Sequence, residues 1–148
     1  MDEAVLKEMV ETLSDLGSAL PESFSRLMIR RLDTLGCPSK SGFSLAFAAQ
    51  KAEREILDYC HVEVIPSVLY PMLCDRACGK YLYDQKQMGL LDMETLDLSG
   101  ALSSITEGDV SLSFRSGTSD AEKLDALLER MMRAGEGQMA CYRRIKWQ

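Results

Sequence analysis

No apolar run in this chain approaches the ~18–20 residues that span a bilayer, so the sequence offers no membrane-crossing helix. Its first residues, MDEAVLKEMVETL, are acidic and lack the basic segment and apolar stretch of a secretory signal, so synthesis and retention in a cytosol are expected. Histidine occurs once, at His61. A glycine-rich phosphate loop is missing, because Gly135-Glu136-Gly137 follows a helical pattern instead of standing between strand and helix. The acidic residues are scattered over helix faces, with no pair in the apolar setting that raises a carboxyl pKa. These absences argue against an enzyme, and no cofactor is expected.

An excess of positive charge is also missing. The net charge of −6 argues against general affinity for nucleic acid, which rests on Lys and Arg displacing counterions from phosphates. Five cysteines, Cys37, Cys60, Cys74, Cys78 and Cys141, make an odd number, and with no export signal they favour buried free thiols over a disulfide framework. Cys74 and Cys78 lie at i, i+4 on one helix face, with Cys60 and His61 shortly before. They lack the short loop that separates paired zinc ligands, and cysteine packs as a small hydrophobe in any case. A cysteine nucleophile served by His61 needs an orienting third group and an oxyanion donor, and neither is legible. No metal site and no catalytic residue is assigned.

What is present is a chain of 148 residues, enough for one domain with a real core. Hydrophobic residues at 46% and charged residues at 27% give ordinary globular composition. Asp2 caps a first helix with Val5, Leu6, Met9, Val10, Leu13 and Leu16 along one side, closed by Gly17. Pro21 opens a second helix, whose stripe is Phe24, Leu27, Met28, Leu32 and Leu35, ended by Gly36. Its Arg26, Arg30 and Arg31 read as a solvated face. CPSKSG, residues 37–42, is a break with turn chemistry, so residues 1–40 read as a helical hairpin joined to a unit over 41–148.

A third helix runs from about Ser44 to Cys60, with Leu45, Ala48, Ala49, Ala52, Ile56 and Tyr59 inside. Lys51, Glu53, Arg54, Glu55 and Asp58 fall mostly outside, and the alanines let another helix come close. A fourth helix follows Pro66 and reaches about Met88, with Leu73, Ala77, Tyr81, Leu82 and Tyr83 packing on more than one side. Pro71 inside it would cost ~3 kcal/mol, so the regular helix either starts there or kinks one turn in. Gly89–Ser104 is a linker rich in Leu, Asp and Ser.

Within residues 105–117, VSLSF alternates strictly, with Val110, Leu112 and Phe114 on one face of a half-buried strand. Its partner is either a hairpin arm from Leu102–Thr106 or a neighbouring subunit, and pairing between subunits would leave no bare edge. Ser119 with Glu122 forms a capping box for a helix over 119–134, striped by Leu124, Leu127, Leu128, Met131 and Met132 and stopped by Gly135 and Gly137. The segment 139–148 then packs three cations, Arg143, Arg144 and Lys146, beside Tyr142 and Trp147, with Met139 and Ile145. Such a tail either covers its own core or docks on a partner, since interfaces favour Tyr, Trp and Arg. Three cations alone would hold DNA only weakly and in a salt-sensitive way. The expected architecture is mainly α: a bundle of four to five helices, a short β-strand or hairpin before the last long helix, and a protruding C-terminal tail.

ITEGDVSLSF (105–114), a Gly/Ser turn and LDALLERMMRAGEGQMACYRRIKW (124–147) stand in order after EILDYCHVEVIP (55–66) and ACGKYLYDQKQMG (77–89). That series resembles the phage head–tail connector (adaptor) family over roughly residues 41–148. The resemblance implies a small structural virion protein that forms a ring beneath the portal, dodecameric if it matches the portal's symmetry. The ring would extend the DNA channel, seat the next neck, stopper or tail-completion protein, and help retain packaged DNA. DNA would pass through without sequence-specific binding, and the protein would sit in the virion neck after assembly in the host cytoplasm. The implied contact residues are Met139, Tyr142, Arg143, Arg144, Ile145, Lys146 and Trp147, on the portal or the adjacent subunit, with Val110, Leu112 and Phe114 as an inter-subunit strand. Two other classes stay open: a small cytosolic binding or regulatory module using the tail on another acidic partner, and a thiol or zinc protein.

Overall fold

The Asp2 carboxylate accepts the backbone N–H of Ala4 at 2.9 Å and so starts α1 (Glu3–Asp15), as its place before an apolar stripe dictates. The computed structural model describes residues 2–37, 41–91, 94, 96–100, 117–137 and 139–143. After α1 come α2 (Glu22–Thr34), α3 (Gly42–Cys60), α4 (Tyr70–Gln87) and α5 (Asp120–Met132). A 3-10 turn at Ser67–Leu69 leads into α4, and another at Met139–Tyr142 follows α5. The chain is mainly helical, and no described residue lies in a strand. The expected strand residues Val110, Leu112 and Phe114 lie outside the described residues.

Pro71 is the second residue of α4, where its missing N–H has no intrahelical acceptor to lose. The helix therefore starts at Tyr70 and runs without a proline inside it. Pro21 stands one place outside α2 as its N-cap, and Ser41 caps α3 through a 3.2 Å bond from the Ser44 N–H. Ser119 does the same for α5 at 3.2 Å from Glu122, and Gly135 turns left-handed with φ +72° beyond its last turn.

Packing joins these helices into one buried cluster. α1 lies against α3 and α2, α2 against α4, α3 against α4, and α5 covers the remaining flank of α4. The hairpin of residues 2–37 thus shares its core with the rest, and Leu6, Met9, Phe24, Met28 and Leu32 are all fully buried beside residues of α3 and α4. The linker is tied down in part: Leu96 is buried, and the Asp97 N–H donates to the Leu35 carbonyl at 3.0 Å.

The buried stripes depart from the spacing in three places. Leu27 is 41% exposed while Ser25 and Ile29 are buried, because α2 is gripped between α1 and α4 on its 24–25–28–29–32 face. Tyr59, expected inside, is 38% exposed, and Glu53, expected outside, is buried on the row of Ala46, Ala49 and Leu57. On α4, Tyr81 is buried and Tyr83 is exposed, so only one of the aromatic pair enters the core.

Candidate interaction surface

The C-terminal end of α3 is where the chain's tail meets its body. His61 ends that helix in the left-handed conformation, φ 54° and ψ 44°, a region that histidine enters more readily than most residues. Its role is thus at the helix end, and its ring lines an open cleft of about 680 Å³ together with Glu63, Val64, Pro66, Tyr142 and Arg143. Val64 and Val68 stand out of this loop at 61% and 64% exposure.

The tail's first residues fold back on this end of the molecule. Met139 is 5% exposed, and its carbonyl accepts the Cys60 thiol at 3.6 Å. Tyr142 is half-buried against the core, and the Arg143 guanidinium lies 5.1 Å from the centre of the Tyr59 ring, a cation–π contact. Of the expected contact residues, Met139 therefore serves its own subunit's core, Tyr142 is divided between core and cleft, and Arg143 sits exposed on the surface. Arg144, Ile145, Lys146 and Trp147 lie outside the described residues.

Cys60, Cys74 and Cys78 are buried free thiols, with Cys74 and Cys78 4.0 Å apart and the Cys78 thiol 3.8 Å from the Met28 carbonyl. Burial pushes the Cys78 thiol well above the ordinary thiol range, and the neighbouring Cys74 adds to the shift. Burial also raises Cys60, against a weaker opposing pull from Arg143 and Arg76. Thiolates are the reactive and metal-binding form, so both shifts work against nucleophilic chemistry. Among the described residues no three His, Cys, Asp or Glu side chains are grouped to hold a metal ion. Half-buried Cys37 is expected to label with a thiol reagent before Cys60, Cys74 and Cys78, which should be slower by about a hundredfold or more because reaching them requires opening core helices. Peptide mass spectrometry after timed labelling reads this order.

Charge on the body is arranged for cohesion. The Arg76 guanidinium, buried on α4, donates through Nε to the Ala134 carbonyl at 2.6 Å, just past the end of α5. Glu55 lies 3.7 Å from the same guanidinium and 2.5 Å from the Lys80 ammonium. Burial pulls Arg76 down from its ordinary value, while Glu55 and then Glu136 oppose that. Arg31 and Asp75 pair at 3.1 Å between α2 and α4; burial raises the Asp75 carboxyl, and Arg31 partly offsets it. Lys86 of α4 pairs with Asp125 of α5.

At the opposite end of α3 is a feature that the apolar spacing did not expose. Phe43 and Phe47 are 56% and 36% exposed and touch in a tilted arrangement, with ring centres 4.7 Å apart. They line a groove against the C-terminal half of α4, with Tyr81 at its floor and Met88, 57% exposed, at its rim. The one sequence signal was two phenylalanines at i, i+4 beside the alanine stripe instead of within it. No family model, curated protein or solved structure matches this chain.

Proposed function

We propose that this chain is a structural subunit of a phage neck, a head–tail connector that assembles as a ring beneath the portal and extends the DNA channel. The observation that carries the reading is the division of the tail. Its root, Met139 to Arg143, is anchored on the body, and the two cations and the tryptophan that follow have a fixed starting point from which to reach a neighbour. Exposed apolar groups at both ends of α3 support it, since a bundle with a full core has no internal need to display Phe43, Val64, Val68 and Met88.

In this reading the ring is dodecameric like the portal, the strand with Val110, Leu112 and Phe114 pairs between subunits or in a hairpin, and Arg144, Ile145, Lys146 and Trp147 dock outside their own subunit. The next neck, stopper or tail-completion protein binds the free face. DNA passes a lumen that the net charge of −6 keeps from gripping it. The work is mechanical and needs no metal, cofactor or catalytic residue; its setting is the host cytoplasm during assembly and then the virion.

Removal of residues 144–148 tests the tail's part. The deletion begins after Arg143 because Met139 belongs to the core, so the melting temperature should stay within about 2 °C of the parent, as for changes outside packed features. Co-sedimentation with portal particles is expected for the full chain and lost for the shortened one. A full chain that ignores the portal would remove the reading, and a shortened chain that binds equally well would remove the tail from it.

A further inference from the structure

The groove between α3 and α4 calls for an occupant. It is lined by Phe43, Phe47, Tyr81, Asp84, Gln85 and Met88, with Lys51 at its side, and encloses about 140 Å³. That is well below the ~300–1,000 Å³ of small-molecule sites, and suits a single large side chain. Its walls are aromatic and its rim is polar, the surroundings in which a tryptophan anchors an interface. The Glu8 carboxylate accepts the Phe43 N–H at 2.7 Å at the start of α3, and Asp84 and Lys51 give the groove's lining one charge of each sign.

The chain carries a segment of matching chemistry. Residues 139–148 hold three of the 17 cations and none of the 23 acidic residues, so the remainder carries 14 cations against 23 anions. Copies of such a chain attract one another tail to body. Within one copy the main chain beyond Arg143 is shorter than the distance along α3 to that groove. Arg143 is fixed over Tyr59, and Trp147 lies four residues further, at most about 14 Å of extended chain. Along α3, Phe47 and Phe43 are about 18 and 24 Å from Tyr59 and are turned about 120–160° round the helix axis from it.

We propose that Trp147 of one copy, flanked by Ile145 and Lys146, seats in the Phe43/Phe47/Met88 groove of the next copy, joining subunits head to tail. The indole replaces water on the exposed phenylalanine faces, and the Lys146 ammonium faces the Asp84 carboxylate. Such a contact uses two different patches, so a growing series keeps a free tail at one end and a free groove at the other, and it closes into a ring or continues as a filament. The proposal rests on the connector-subunit reading and narrows the tail's partner from the portal to the neighbouring copy.

The test uses the full chain and two surface variants, Phe43→Ser with Phe47→Ser, and Trp147→Ala. Sedimentation velocity at millimolar concentration is expected to show self-association of the parent and about thirtyfold weaker association of either variant, as for loss of an aromatic anchor. An equimolar mixture of the two variants should give a dimer and nothing larger, because it contains one intact groove and one intact tail. Unchanged melting of each variant excludes a folding defect, and Phe43→Tyr with Phe47→Tyr should restore association. Parent chain that stays monomeric, groove variants that associate like the parent, or a mixture that stays monomeric would each overturn the proposal. If the groove variant still loads onto portal particles in full number, this proposal fails while the connector reading stands. If the parent ignores the portal, the connector reading fails, and self-association of the chain alone still decides this contact.

Discussion

Replacing Gly42 with valine is expected to lower stability by about 3 kcal/mol, which for a chain of this size is a fall in melting temperature of roughly 6–12 °C. Gly42 is the first residue of α3, where it meets α1. A Cβ added there would run into the Val5 carbonyl oxygen and stand 2.7 Å from the Met9 nitrogen and 2.8 Å from the Glu8 Cβ. Two of those neighbours are backbone, so no side-chain rotation relieves the clash and the two helices must separate. Separation uncovers Val5, Leu6 and Met9 on one side and Leu45 and Ala49 on the other, all buried in the native packing. The same replacement at Gly79 acts on the other flank, since a Cβ there would stand 2.8 Å from the Met131 Cβ and 3.0 Å from the Met132 nitrogen of α5. Gly137 is the control: an added Cβ there meets nothing within 4 Å, and Gly137→Ala should change stability by less than about 0.5 kcal/mol. Thermal and urea denaturation followed by circular dichroism measure all three.

Arg76→Met is expected to cost about 2–3 kcal/mol, the worth of a charge-assisted hydrogen bond to a partly buried carbonyl. Arg76 is only 7% exposed, and its Nε bond to Ala134 is the strap that holds the last turn of α5 on α4. Methionine fills similar length with an apolar chain, so the change isolates the polar contact from loss of packing. Glu55 is half-exposed and keeps Lys80 at 2.5 Å, so its own stranding contributes little. Arg76→Lys should recover only part of the loss, because an ammonium cannot present the guanidinium's Nε to Ala134 while also facing Glu55. Hydrogen exchange should localise the effect: amides of residues 131–137 accelerate, while those of α1 keep their protection. Equal acceleration everywhere would mean that Arg76 supports the whole core and not this end of α5.

Helix positions were most legible for α1 and α5, where a cap, a stripe and a stop agree with one another. Asp2, Ser41 and Ser119 each bond the N–H groups that open a helix. Pro71 was ambiguous from sequence, since proline is tolerated in the first turn and damaging in the interior, and only the preceding 3-10 turn decides which applies. Which face each helix buries was less legible. Leu27, Tyr59 and Glu53 sit at stripe edges, where burial depends on how many neighbours flank the helix. The α3–α4 groove was hidden for a related reason: hydrophobic spacing identifies side chains that want cover, and says nothing of those left without it. The tail was legible in composition but not in placement, because Met139 looks the same in sequence whether it meets its own core or a partner.

The central claim is that this chain works by holding copies of itself on a larger ring, and the mass of the complex formed with purified portal tests it most directly. Native mass spectrometry of that mixture is expected to show a closed set of subunits on each portal, in a number matching the portal's symmetry, with no partly filled species dominating. Free portal beside free monomer at all ratios would contradict the account.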